Sequence, residues 1–290
     1  MIYDREFSSI GEIMPKVMEY LEKKSNANTK IIGMKSGFED LDYKIEGLHN
    51  GELIVVGARP GMGKSALILN IMLYAAIEEN IPVAIFSIEN GKETVINRML
   101  SMQAEVENSK IISGKIAKEE LNKIKESSKI LSNAPIYIND TPGISAEEIR
   151  EKSIKLKEEK NIGLIVIDYL QLIGQTEEES NHKNILESIS NLAKELNIPI
   201  ILTSQLSRKP EERKDHTPRL SDFGNSHDIT DYADTILFLY RDGYYNPDSD
   251  KKDIADIIIE RSAHGAKGTI ELLWNSKYMK FDNMERIKMN

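Results

Sequence analysis

The chain contains no cysteine, and that absence alone removes disulfides, thiolate nucleophiles and cysteine-ligated zinc. Its five histidines are scattered, with no H-x-x-x-H pair to hold a metal on one helix face. Excess positive charge is lacking as well: 38 Lys and Arg stand against 47 Asp and Glu, a net charge of −9. This argues against a generally basic nucleic-acid surface and confines any such contact to a local patch or to a few loops lining a pore. Long apolar runs are missing too. None approaches the roughly 20 residues that cross a bilayer, and Met1–Ile10 carries acidic residues in place of an apolar signal segment. The cytoplasm is the expected compartment, with no membrane partner. Apart from the short acidic run Glu177–Glu179 there is no repeat or low-complexity tract. What remains, 290 residues that are 40% hydrophobic, is enough for one large core or two modest ones.

The most informative stretch is Ala58-Arg59-Pro60-Gly61-Met62-Gly63-Lys64-Ser65, set between the apolar run Glu52–Gly57 and a helical pattern beginning at Ala66. A glycine-rich turn between strand and helix lets several backbone N–H groups converge on a phosphate, where the helix dipole adds favourable potential. Arg59, Pro60, Gly61, Met62, Gly63, Lys64, Ser65 and Ala66 are therefore expected to cradle a nucleoside triphosphate. Lys64 would reach the β- and γ-phosphates, and the Ser65 hydroxyl would ligate Mg²⁺. With no other metal signal in the chain, Mg²⁺ arriving with the nucleotide is the expected ion. The first glycine of G-x-x-x-x-G-K-[ST] falls on Ala58, with Gly57 one residue early. The competing reading is a glycine-rich surface turn, and the flanking strand and helix patterns weigh against it.

Upstream, Ser9-Ile10-Gly11-Glu12 has capping-box spacing, and Ile10, Ile13, Met14, Val17, Met18 and Leu21 recur at helical intervals. These predict an amphipathic helix of about four turns. Polar Lys23–Lys30 separates it from the remainder of the chain, so residues 1–30 are read as a linker helix with its linker and 31–290 as the main domain. Two berths are open to the apolar stripe, the chain's own domain and another subunit.

From Gly51 onward short β-rich runs alternate with helical patterns, the signature of a mostly parallel sheet flanked by helices. The patterns predict strands over Glu52–Ala58, Val83–Ile88, Pro135–Asn139, Leu164–Asp168 and Pro199–Ser204, and helices over Lys64–Glu79, Lys92–Gln103, Ser145–Glu159 and Lys183–Leu196. After Asp234 the runs Thr235–Arg241, Ile254–Arg261, Thr269–Trp274 and Tyr278–Asp282 succeed one another with no helix between them, which predicts antiparallel C-terminal strands.

In such a sheet ligands bind outside the carboxyl ends of the strands, so polar residues that end apolar strands there are the ones to inspect. Asp168 ends Leu164-Ile-Val-Ile167 and fits a second Mg²⁺-organising carboxylate, which holds the metal through water. Glu89 ends Val83–Ile88 and is placed to act as general base or to orient an attacking water. Gln205 follows Ile200–Ser204, and its amide can donate to a γ-phosphate while accepting from a loop. Each has a plainer reading, as a turn former or a solvated strand end.

Taken together the motifs resemble the RecA-like motor domain of DnaB-type replicative DNA helicases, almost without gaps from about Lys35 to the C-terminus. The resemblance rests on Gly37-Phe-Glu-Asp-Leu-Asp42, the phosphate loop, Ala84-Ile-Phe-Ser-Ile-Glu89, Ala134–Ser145, Leu164-Ile-Val-Ile-Asp-Tyr-Leu-Gln-Leu172, Ser204-Gln-Leu-Ser-Arg208 and Phe238–Tyr245. That family also places alanine where Ala58 stands. The resemblance implies an α/β fold of the RecA-like P-loop NTPase type and a homo-oligomeric ring, usually a hexamer, with ATP at its subunit interfaces. It further implies 5′–3′ translocation on single-stranded DNA during replication, with a helicase loader among the partners. Glu89 becomes the catalytic carboxylate, Lys64 and Ser65 hold phosphate and Mg²⁺, Asp168 lies near the metal, Gln205 couples γ-phosphate to DNA loops, and Arg98 matches an arginine that comes after the catalytic glutamate. Residues Ile10–Leu21 match a linker helix that packs on the neighbouring subunit, while no counterpart of the family's N-terminal collar domain is seen.

Departures from the family pattern bear on the motor. Where it carries Lys-Gln-Arg-Asn-Gly, whose cations reach the adjacent subunit's γ-phosphate, this chain reads Arg261-Ser-Ala-His-Gly265. Arg261 replaces the lysine as a charge, Ala263 stands at the finger position, and residues i and i+2 of a strand share a face, so Arg261 is the expected trans-acting catalytic cation. The DNA-loop pattern Leu-Arg-Glu-Ser-Gly is Phe223-Gly-Asn-Ser-His227, and Glu187 stands where an arginine is usual. Two functions stay open at this point: an ATP-driven helicase, or a degenerate ATP-binding module acting as a regulatory or structural ring component. A RecA- or KaiC-like recombinase or signalling ATPase shares the fold, but Asp168–Leu172 and Ser204–Arg208 point away from it.

Overall fold

The computed structural model describes residues 7–26, 31–175, 181–224 and 226–284. Two helices, α1 (Ile10–Asn26) and α2 (Glu39–Ile45), precede β1 (Leu53–Ala58), α3 (Lys64–Leu73), β2 (Val83–Ser87) and α4 (Lys92–Ala104). Next come α5 (Asn108–Ser113), α6 (Lys118–Asn133), β3 (Ile136–Asn139), α7 (Ala146–Lys160) and β4 (Leu164–Asp168). The chain continues through α8 (His182–Leu196), β5 (Ile200–Gln205), α9 (Lys209–Glu212), α10 (Ser226–Tyr232) and β6 (Thr235–Tyr240). A one-turn helix, α11 (Asp242–Tyr245), leads to β7 (Ile254–Arg261), β8 (Gly268–Asn275) and β9 (Lys280–Asn283).

The strands form one sheet in the order β3-β2-β4-β5-β1-β6-β7-β8-β9. It is parallel from β3 through β6 and antiparallel from β6 to β9, the mixture expected from the sequence. Every residue of β1, β2, β4 and β6 is buried, which is why these segments read as unbroken apolar runs: helices cover both faces of the parallel part. Successive side chains still divide between the faces. Ile54 and Val56 pack with Leu67, Ile68 and Met72 of α3, whereas Leu53 and Val55 pack with Ile185, Ile189 and Leu192 of α8. Strand β7 alternates instead, with Ala255, Ile257 and Ile259 inward, as befits an antiparallel strand covered on one side.

Several elements differ from expectation. The helix after the phosphate loop stops being α-helical at Leu73 and widens into a π-turn over Tyr74–Glu78, where the Tyr74 ring lies so close to Gly37 that a Cβ there would come within 2.6 Å of it. Helices α5 and α6 were not among the expected elements; α6 is amphipathic but sits shallowly, with Ser127 its one buried residue, and it packs on α4. Gln205 is the last residue of β5 and does not come after the strand, and α11 interrupts the strand series that was expected to run without helices. The capping box of α1 is formed: Ser9 Oγ accepts from the Glu12 amide (3.3 Å) and Glu12 Oε2 accepts from the Ser9 amide (2.9 Å). That helix runs through Asn26, beyond the start of the polar segment at Lys23. The remainder of that linker, the acidic run Glu177–Glu179 and Asn225 lie outside the described residues. Along α1 the stripe Ile10, Ile13, Met14, Val17, Met18 and Leu21 is 42–76% exposed, so no described part of the chain covers it. Among the described residues no helix is long and apolar enough to cross a membrane.

Candidate nucleotide site

Strand β1 is the point at which the sheet's connectivity reverses. From it α3 leads across β5 and β4 to β2, while β6 joins it on the other side, and a crevice opens at the carboxyl ends between them. Arg59–Gly63 turns over that crevice. Gly61 (φ 80°) and Gly63 (φ 104°) sit in the left-handed region where a side chain would be strained, and Gly63 is the N-cap of α3. No side chain caps this helix, so the first amides of α3 are left facing the crevice with the positive end of the helix dipole behind them.

Lys64 is the first residue of α3. Burial pushes its ammonium below the usual lysine range, opposed by the nearby carboxylates of Asp168 and Glu89. A desolvated cation that draws on two carboxylates is poised for an anion that solvates it better. The Ser65 hydroxyl donates to Asp168 Oδ2 (2.7 Å), and the Thr203 hydroxyl donates to Asp168 Oδ1 (2.5 Å), so both carboxylate oxygens of this buried residue are fixed. Ser65 and Asp168 offer hard oxygen donors side by side, the chemistry that suits Mg²⁺. Among the described residues no group of three or more His, Asp or Glu could hold a metal unaided, so such an ion would depend on phosphate oxygens for the rest of its shell.

Lys64, Ser65 and Ala66 share a cavity of 250 Å³ with Pro60, Gly61, Gly63, Glu89, Asn90, Arg98 and Gln205. The structure thus brings together residues from the ends of β1, β2 and β5 that the sequence had singled out separately. Arg98 reaches it from α4, its guanidinium donating to Asn90 Oδ1 (3.3 Å). Two expected contacts turn away. Met62 is buried in the core, leaving only its backbone to the loop. The Arg59 guanidinium donates to Glu211 Oε1 (2.9 and 2.6 Å) and to the Leu206 carbonyl (2.7 Å), tying the loop to the segment after β5. Trp274 and Met279 also line the cavity, and sequence reasoning missed them because they come from β8 and the turn after it, far along the chain from the phosphate loop. Thr203 is marked in the sequence only as a hydroxyl directly after the apolar run Ile200–Leu202.

Arg261 lies at the opposite edge of the sheet. It pairs with Ile236 at the start of β6, whereas the phosphate loop sits past the far ends of these strands, and its guanidinium donates to the Thr230 carbonyl. It is the last residue of β7, beside an irregularity in the ladder, so Ala263 is already in a loop and the two do not share a strand face as expected. That loop is held down: the Ala266 amide donates to the Lys44 carbonyl (3.1 Å), a Cβ on Gly265 would fall 2.0 Å from the same oxygen, and His264 stacks on His49 (3.9 Å) and pairs with Glu52 (2.9 Å). Burial, with Asp234 close by, pushes the Glu52 carboxyl up to about 7.

With this geometry in hand, comparison with known proteins is decisive. The family model described as the DnaB-like helicase C-terminal domain matches residues 33–283. The chain belongs to that family. It is 41% identical to the replicative DNA helicase DnaB of Geobacillus stearothermophilus over 285 residues, covering 97% of this chain and 63% of that relative. Among solved structures it is similar to a separately solved ATPase domain (TM-score 0.90, 33% identity, 97% of this chain and 100% of that one). It is likewise similar to a DnaB-like replicative helicase studied with primase (TM-score 0.86, 33% identity, 98% and 68%). The chain spans under two thirds of the length of the curated relative.

The half-buried ammonium generates the first prediction. Lys64→Ala should abolish binding of an ATP analogue while leaving thermal unfolding cooperative, because it removes the ammonium at the start of α3, which Arg98, reaching the cavity from α4, does not replace. Calorimetric titration showing an affinity like the wild type's would contradict the assignment.

Proposed function

We propose that this domain binds and hydrolyses Mg²⁺-ATP at the interface between copies of itself in a ring, a hexamer by its family resemblance, and uses the cycle to translocate on single-stranded DNA and unwind duplex during replication. The observation that carries this reading is the meeting of Lys64, Ser65, Glu89 and Gln205 around one cavity at the uncapped start of α3, with Asp168 bonded to Ser65 behind it. Each has a role there. The amides of the Gly61–Ser65 turn and the Lys64 ammonium compensate phosphate charge that would otherwise be stranded out of water. Glu89, two residues past the end of β2, is placed to orient a water and accept its proton as that water attacks phosphorus. Asp168, pinned by Ser65 and Thr203, holds its oxygens toward the metal position. Bound there, Mg²⁺ would supply Lewis-acid polarisation of the phosphate oxygens.

A cavity of 250 Å³ falls below the roughly 300–1,000 Å³ of complete small-molecule pockets, which fits a site finished by another surface. The uncovered stripe of α1 supports assembly. An apolar cleft of 230 Å³ lined by α4, α6 and β3, with Ile96 exposed at its margin, offers such a helix a berth on a second copy. The reading as a degenerate ring component is favoured by one observation: Ala263 stands in the loop after β7, and Arg261 is engaged with Thr230. A trans-acting arginine can be worth ~10³–10⁵ in rate, so basal hydrolysis should be slow unless assembly frees Arg261.

Two tests bear on this. Glu89→Gln keeps the side chain's shape and loses its basicity; it should bind Mg²⁺-ATP like the wild type and lose turnover in a phosphate-release assay. Turnover within about threefold, less than ~0.7 kcal/mol of barrier, would place the base elsewhere. Changing Ile13 and Val17 to Asp should shift higher oligomers toward monomer in sedimentation velocity, and an unchanged profile would remove α1 from the assembly interface.

A further inference from the structure

The carboxyl end of β5 lacks a neighbouring strand on one side. In a parallel sheet alternate residues of an inner strand turn their N–H and C=O to opposite neighbours. Here Ile200 and Leu206 donate to β1 partners, the carbonyls of Glu52 (2.9 Å) and Ala58 (3.0 Å), so Gln205 faces the β4 side. The β4 ladder, however, ends at Ile167–Leu202, and β4 itself stops at Asp168. Left alone, the Gln205 amide and carbonyl would be unpaired inside a half-buried site.

One side chain fills the gap. A single 3₁₀ turn, Leu170–Leu172, brings Gln171 beside Gln205. Gln171 Oε1 accepts from the Gln205 amide (3.1 Å), while Gln171 Nε2 donates to the Gln205 carbonyl (3.1 Å) and to Ser204 Oγ (3.0 Å). The carboxamide thereby reproduces the donor and acceptor of a strand residue, which a carboxylate or thioether cannot do. Gln205 also separates two spaces. It lines the 250 Å³ nucleotide cavity and, with Gln171, Tyr169, His182, Ser207 and Phe223, a cleft of 540 Å³ on the other side.

We infer that Gln171 is a positioning residue: its carboxamide stands in for a missing strand and fixes Gln205 so that the Gln205 side chain meets a nucleotide's γ-phosphate. The inference rests on the nucleotide reading above. It makes Gln171 the link through which occupancy of the cavity is felt in the cleft. Loss of that link should weaken a ligand that has a γ-phosphate and spare one that lacks it.

The test measures Mg²⁺-dependent binding of ATPγS and of ADP to the full chain by calorimetry. The wild type should prefer ATPγS. Gln171→Met should lose about tenfold in ATPγS affinity, the scale of a hydrogen bond to a charged group, with ADP affinity within about twofold. Gln171→Glu is the nearly isosteric control. Ionised, it has acceptors only and confronts the Gln205 carbonyl, which raises the carboxyl's pKa; protonated, it regains a donor. Relative to wild type at the same pH, Gln171→Glu should therefore resemble Gln171→Met at pH 8 and recover most of the ATPγS preference at pH 6. This pH comparison stands by itself if Gln171→Met fails to fold. A wild-type preference in Gln171→Met, or a Gln171→Glu defect that is the same at both pH values, would overturn the inference. A wild type that binds both ligands equally would overturn the Gln205 contact, and one that binds neither would overturn the nucleotide reading itself.

Discussion

A triphosphate leaves water only for a place where fixed positive potential is already waiting, and on the proposed function the architecture around α3 answers that constraint. The amides of the turn can converge only if the chain passes through left-handed conformations at Gly61 and Gly63, directly off a rigid central strand and into a helix that no side chain caps. Lys64 can be half-buried there because Asp168 and Glu89 share the space, and they can share it because β1, β2 and β4 end at one edge of a parallel sheet. The core on both faces serves this end. Buried aliphatic side chains along β1 and α3 fix the direction in which the loop leaves the sheet.

The same sheet separates the two halves of the proposed chemistry. The phosphate loop occupies the carboxyl edge of the parallel strands, and the loop from Arg261 to Ala266 occupies the amino edge, clamped by Lys44 and Glu52. One copy therefore cannot bring Arg261 to its own Lys64. On the proposed function a second copy would bring it there, which would tie catalysis to assembly and give the uncovered stripe of α1 a purpose. Arg59 links the nucleotide cavity to the segment after β5 through Glu211 and Leu206, and Gln205 links it to the turn after β4 through its backbone bonds with Gln171.

Much of this was legible in the order of residues. Buried parallel strands announce themselves as apolar runs, and the polar residues that end them, Glu89, Asp168 and Gln205, mark the edge where ligands bind. The phosphate loop was legible because its glycines, lysine and serine are adjacent in the chain. Harder to see were contacts assembled across the fold. Trp274 and Met279 reach the cavity from the antiparallel end, with nothing local to mark them. Thr203 shows only as a hydroxyl after an apolar run, and Gln171 looks like an ordinary turn residue until the early end of β4 leaves Gln205 in need of partners. The strand-face argument for Arg261 and Ala263 failed because the strand ends between them, and strand ends are set by ladder partners that sequence spacing does not reveal.

The central claim is that the cavity at the start of α3 is a DNA-responsive ATP-hydrolysing site. Steady-state phosphate release from Mg²⁺-ATP by the full chain, with and without single-stranded DNA, tests it most directly. The account predicts slow release without DNA and a severalfold increase with it; no release above the protein-free rate under either condition would contradict it.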